Sequence, residues 1–223
     1  MDRIAGPVRV GVEAAGRRAF ASALDWPGWS RAGRDEASAL RALRVSAARY
    51  ATAIAAAGLD APPEGADLEV VERRPGTATT DFGAPDVAFE ADGRPVDEAD
   101  AERLSSLVRT AWDALDAAAA ATPAALRKGP RGGGRDRDAI VAHVASAEVA
   151  YGRRIGLRLS EPGPGDAAAT RANRESILAV LRRASDGGPV AGGSWPARYA
   201  ARRIAWHALD HAWEIEDRGV PAD

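Results

Sequence analysis

In the first third of the chain, apolar residues alternate with polar ones. In the second half they recur every three or four positions. Val8-Arg9-Val10-Gly11-Val12-Glu13 has the two-residue period of a half-buried strand. Gly16 interrupts it, and residues 18–24 (RAFASAL) alternate again, which predicts a hairpin. Trp26-Pro27-Gly28-Trp29 is turn chemistry between aromatic anchors. From Asp35 the period lengthens: Ala39, Leu40, Leu43, Ala47, Tyr50 and Ile54 form a helical stripe that ends at Gly58, placed as a C-terminal cap. Pro62-Pro63 ends this stretch of the unit, and residues 68–72 (LEVVE) read as its final strand. The order strand, strand, helix, strand predicts a small antiparallel sheet covered by one helix over residues 1–75.

Residues 76–96 carry Gly76, Gly83, Pro85 and Gly93 and read as a connector with room for one extra strand. Beyond it, four helices are expected, at 97–121, 136–159, 167–183 and 197–218. They are separated by Pro123 with the run Gly132-Gly133-Gly134, by Gly163 and Gly165, and by a loop at 187–196. Short connections between them predict an all-α, up-down four-helix bundle over residues 97–223. The fold class is thus an α+β unit followed by a bundle.

Composition narrows the chemistry. With 223 residues, 46% apolar and 28% charged, the chain has an ordinary globular make-up. No apolar run approaches a membrane span, and Met1 to Val10 lacks the apolar core of a signal peptide. A cytoplasmic protein without membrane contact is expected. The net charge of −2 argues against an electrostatic grip on nucleic acid. There are no cysteines, which excludes disulfides, thiolate–metal sites and cysteine nucleophiles. Of 30 basic residues only Lys128 is a lysine, a bias that discounts arginine and alanine counts as design signals.

Three histidines remain, and their positions are the most informative feature. His207 and His211 sit four residues apart on the last expected helix, which puts both imidazoles on one face, one turn apart, where they can share a metal. At about 100° per residue, Arg203, Asp210, Glu214 and Arg218 fall on the same stripe, flanked by Trp206 and Trp213 on one side and Ile204 and Ile215 on the other. A polar stripe between two apolar flanks fits a lined cavity better than a solvated face. Arg202, Leu209 and Glu216 then point toward solvent. On the second helix of the bundle, His143 shares a face with Ile140, Ala147 and Ala150. Alone it reads as a satisfied core histidine. With the pair two helices later it completes three imidazole ligands, the open coordination of a catalytic metal site. Asp210 or Glu214 can accept a hydrogen bond from a ligating ring and fix its tautomer.

The segments 138–151 (DAIVAHVASAEVAY) and 199–218 (YAARRIAWHALDHAWEIEDR) resemble the DinB/YfiT-like superfamily. That resemblance covers about residues 97–218. It implies a four-helix bundle holding a divalent metal through His143, His207 and His211, zinc first, with nickel, manganese or iron as alternatives. It also implies use of a low-molecular-weight thiol cosubstrate such as mycothiol in an S-transferase or isomerase, or hydrolysis by an activated water. The segment Phe20 to Ala57, with Asp25-Trp26-Pro27-Gly28-Trp29, is similar to the HicB-like fold of antitoxins, which implies a partner-binding domain, or one recruited to dimerise the protein or to cover the metal cleft.

Lys128-Gly-Pro-Arg131-Gly-Gly-Gly-Arg135 lacks P-loop spacing and reads as a flexible loop or as an anion-binding lid. Trp195 either walls the cleft or caps the core. The arginines at 153, 154, 158, 182, 183, 202 and 203 form either an RNA patch or a solvated surface, and the charge balance favours the surface. The sequence therefore predicts a metal-dependent enzyme acting on a small-molecule electrophile, with Arg203 gripping a substrate carboxylate and Asp210 orienting a ligand. The alternative is a partner-binding protein with a structural or sensing metal. A homodimer is the base-rate assembly.

Overall fold

The computed structural model describes residues 6–55, 58–59, 61–62, 65–129 and 133–219. The chain is mixed α/β, with a four-stranded sheet in its first third and helices thereafter. No helix among the described residues is long and apolar enough to cross a membrane.

The hairpin forms as β1 (Val8–Ala14) and β2 (Ala19–Ala23), antiparallel, with Val10 opposite Ala23 and Val12 opposite Ala21. The Trp26–Trp29 turn then leads into a strand the periodicity did not reveal, β3 (Ser30–Gly33), whose four residues are too few to show alternation. Gly28 has φ of 96°, and a Cβ there would sit 2.7 Å from Leu209 Cδ1, so the turn backs directly onto the last helix.

The expected single helix is two, α1 (Glu36–Val45) and α2 (Ala47–Ala55). Asp35 caps α1 by accepting from the Ser38 backbone N–H. The break falls at Ser46, because the Leu43 carbonyl accepts from both Ser46 Oγ and Trp29 Nε1. After this crossover comes β4 (Leu68–Pro75), which runs parallel to β1. The sheet order is β3-β2-β1-β4. The sheet expected to be antiparallel is therefore mixed, since two helices between β3 and β4 return the chain in the same sense as β1.

The connector holds no extra strand. It forms a short helix α3 (Ala78–Phe82) and a 3-10 turn at Glu90–Gly93. It straps the sheet face opposite Val10 and Val12. Glu13, fully buried, accepts from Thr80 Oγ1 and from the backbone N–H groups of Asp86 and Val87. Gly11 leaves room for the Phe89 ring, which a Cβ would meet at 2.7 Å.

The remaining helices are α4 (Glu98–Ala121), α5 (Arg137–Arg154), α6 (Ala167–Leu181) and α7 (Ala197–Gly219). Helix α5 stops short of Leu159. Gly156, at φ of 77°, turns the chain, and Leu157 N–H bonds back to the Gly152 carbonyl. With α1–α3 the described residues contain seven α-helices, not the five expected in all. Helix α7 packs on α4 and α5, and α6 packs on the same two.

One apolar core runs from Val8 to Ile215 through sheet and helices alike. This corrects the expected surface of α7. Arg202 and Leu209 do not face solvent: each is 1% exposed, covered by the connector and the β2–β3 turn. Arg202 donates to Asp92 at 2.6 Å and to the Val87 carbonyl at 3.0 Å.

Candidate metal centre

Helices α5 and α7 bring the three histidines together. His143, from α5, and His207 and His211, from α7, each offer a ligand atom, and these atoms all lie within 4.8 Å of one another. The ring centroids are 5.1 Å apart for His143–His207, 5.2 Å for His143–His211 and 4.7 Å for His207–His211. They are close and steeply inclined to one another, as imidazoles turned toward a common point are.

Their protonation suits ligation. Burial holds the His207 imidazole well below the ordinary histidine range, reinforced by His211 and Arg203. Burial, with Arg135 and His211, lowers His143 as well. Nδ1 of His207 is enclosed with no hydrogen-bond partner, a ring nitrogen left for a ligand. His211 Nδ1 lies 2.8 Å from Glu214 Oε2, and that hydrogen bond is the first cause that pulls the Glu214 carboxyl below its ordinary range. The ring then donates from Nδ1 and turns Nε2 outward. Arg218 binds the other oxygen of Glu214 and also donates to the carbonyls of Arg127 and Arg135, anchoring the loop before α5.

The residues around the cluster differ from the expected set in specific ways. Asp210 does not reach a histidine. It pairs with Arg31 of β3 at 2.7 Å, and Arg31 stacks 3.9 Å over the Trp213 ring. The carboxylate that does reach one of the histidine rings is Glu214. Arg203 stands by the cluster, 7% exposed, with its guanidinium carbon 5.3 Å from the Tyr151 ring and 4.9 Å from the Trp206 ring. The helical stripes of the sequence do not by themselves single out Tyr151. It lies two turns beyond His143 on α5, and its ring is 5.7 Å from that of His207. The eight-residue step that places it there is visible in the sequence. Trp195 walls this side, 5.4 Å from Tyr151 and 4.9 Å from Tyr199. Ala150 is exposed and has no part in the site.

Of the basic glycine segment, Pro130, Arg131 and Gly132 lie outside the described residues. Lys128 is engaged by Asp136 at 2.5 Å. The arginine patch does not assemble, since Arg202 and Arg203 are buried in α7 while Arg153, Arg154, Arg158, Arg182 and Arg183 are exposed.

The donor set fits a divalent cation. Three imidazoles, two of them held neutral by their surroundings, satisfy three positions of a four-coordinate ion and leave one for an exogenous group. Compared with known proteins, the chain matches no family model, no curated protein and no solved structure.

Proposed function

We propose that the chain is a metal-dependent enzyme of the DinB/YfiT-like kind, in which α4–α7 form an up-down four-helix bundle. A divalent ion, zinc first, is held between α5 and α7, and the substrate is a small electrophile. The observation that carries this reading is the convergence of His143, His207 and His211 with only three protein donors. Bound there, the ion supplies Lewis acidity that turns a low-molecular-weight thiol or a water into a nucleophile near neutral pH. With no cysteine in the chain, a thiol has to come from solution.

The protein's own groups do the rest. Glu214 fixes the His211 tautomer, and Arg218 holds Glu214. Burial keeps His207 unprotonated. The Tyr151 ring stands 5.7 Å from that of His207, and Trp195 packs on Tyr151 at 5.4 Å, so the cluster has an apolar flank. The sheet unit braces α7 through Gly28, Arg31 and Arg49, the last bonded to Glu216 at 2.5 Å.

The test is elemental mass spectrometry on untagged protein, wild type and His207→Ala. About one divalent ion per chain, lost in the variant, supports the reading and justifies screening thiols and water against small electrophiles. No metal in either protein, and no uptake from added zinc, nickel, manganese or iron, overturns it.

A further inference from the structure

The buried arginines of the helical half follow a rule with one exception. Arg174 of α6 meets Glu148 at 3.2 Å and Asp116 at 3.0 Å. Arg202 of α7 meets Asp92 at 2.6 Å. Arg203, its chain neighbour, is 7% exposed yet forms no ion pair among the described residues, and its Nη1, like that of Arg202, is enclosed with no hydrogen-bond partner. Asp86 of the connector is engaged instead by Thr77 Oγ1 at 2.7 Å. An uncompensated buried cation is costly, and cation–π contact with Tyr151 and Trp206 offsets only part of that cost.

Its position says what the cost serves. Tyr199, Arg203, His207 and His211 follow one another at four-residue steps along α7, a continuous stripe on one face. Arg203 is one turn, about 6 Å of rise, from His207. Around it stand Tyr151, Trp195 and Tyr199, aromatic surfaces that shed water and strengthen any charge pairing made there. Burial pushes the Tyr199 phenol up to about 12, so it stays a neutral donor. The other cation beside these rings, Arg202 at 5.2 Å from the Tyr199 ring, is neutralised by Asp92, which leaves Arg203 as the one unpaired charge among neutral donors and apolar rings. That is a site for a monoanion on an apolar body, and a planar guanidinium matches a carboxylate through two parallel N–H···O bonds.

We infer that Arg203 is the carboxylate-binding residue of this protein, and that its substrate is a small organic acid whose apolar body lies against Tyr151 and Trp195. The inference names the substrate class of the site proposed above and rests on that reading for the identity of the neighbouring reaction centre. One turn of separation places the carboxylate a few bonds from the group presented to the histidines.

The experiment is isothermal titration calorimetry on metal-stripped protein, with acetate, benzoate and phenylacetate as probes and benzamide as the neutral control, for wild type, Arg203→Met and Arg203→Lys. Benzoate or phenylacetate should bind the wild type at least tenfold more tightly than benzamide. Arg203→Met should lose that binding by tenfold or more, and Arg203→Lys, which keeps the charge without the fork, should fall between them. Arg203→Met should also melt at or above the wild-type temperature, because it removes a cation the fold leaves unpaired. No binding of any carboxylate, equal binding of benzamide, unchanged binding in Arg203→Met, or a lower melting temperature or failure to fold in that variant would overturn the inference. Metal content measured on parallel samples separates the two claims. Carboxylate binding by a protein that takes up no metal retains the clamp and removes the metal reading, and the opposite pattern does the reverse.

Discussion

Glu214 Oε2 stands 2.8 Å from His211 Nδ1, three residues earlier on α7, while Asp210, one residue before that histidine, turns away to Arg31 of β3. A carboxylate behind a ligating imidazole fixes its orientation and raises its basicity. Glu214→Gln is therefore expected to weaken zinc binding by roughly 10- to 100-fold, read by competition against a chromophoric chelator. Asp210→Asn is expected to leave the affinity within about twofold, since Asp210 serves the packing of sheet against helix. Equal effects of the two substitutions would remove Glu214 from its assigned place.

Metal removal has a stability signature. An ion that binds only the folded chain stabilises it by about 2.7 kcal/mol at 100 times its dissociation constant. For a chain of this length that corresponds to a rise of roughly 5–10 °C in melting temperature. Differential scanning calorimetry with and without zinc should show the shift in wild type and lose it in His143→Ala. A shift that survives in His143→Ala would show that α5 contributes no ligand and that the pair on α7 binds alone.

How far the sequence reached depended on whether a feature was local. His207, His211 and Glu214 share one helix, so their common face follows from 3.6 residues per turn. The pairing with His143 needed only the order of the helices. The side of the stripe that meets the sheet could not be read this way. Asp210 follows His207 by three residues as Glu214 follows His211, so the step alone does not separate them, and it is the sheet, with Arg31 on β3 and the Gly28 turn against Leu209, that draws Asp210 away. The same contact buries Leu209, expected in solvent, while the connector's Asp92 and Val87 bury Arg202. The division of the first helix at Ser46 has the same origin, because it requires the indole of Trp29, 17 residues earlier. The parallel β4 depends on a crossover length that alternation does not encode.

The Arg174–Glu148 pair between α6 and α5 gives a pH-dependent test of the core. Burial holds the Glu148 carboxyl above the ordinary glutamate range, and Arg174 opposes that shift. A folded-state value raised above the unfolded one, about 4.3, contributes stability that is full below the unfolded value and is lost as pH rises through the folded one. Arg174→Met removes the opposing cation and moves the folded value higher still. Its deficit relative to wild type should be about 3–5 kcal/mol at pH 8, where an uncompensated carboxylate is buried, and clearly smaller at pH 5. Urea denaturation at the two pH values reads the difference. A deficit independent of pH would mean that the loss is one of packing rather than of charge.

Asp92 and Arg202 tie the connector to α7, and both are almost wholly buried, at 2% and 1% exposed. Asp92 also accepts the backbone N–H of Phe89, whose ring fills the space above Gly11, so one carboxylate fastens the strap to the sheet and to the helix that carries two of the histidines. Asp92→Asn keeps the shape and an acceptor for Phe89 but leaves the Arg202 guanidinium without a counter-charge. The expected cost is about 3–5 kcal/mol, with faster hydrogen exchange at the Phe89 amide. Arg202→Met removes the cation and leaves Asp92 its bond from the Phe89 N–H, so its cost should be smaller. Carboxylate binding at Arg203, the next residue along α7, should persist in Arg202→Met, because each arginine has its own environment: one pairs with Asp92, the other stands between Tyr151 and Trp206. Loss of carboxylate binding in Arg202→Met, with the fold intact by circular dichroism, would show that the two guanidinium groups act as one site.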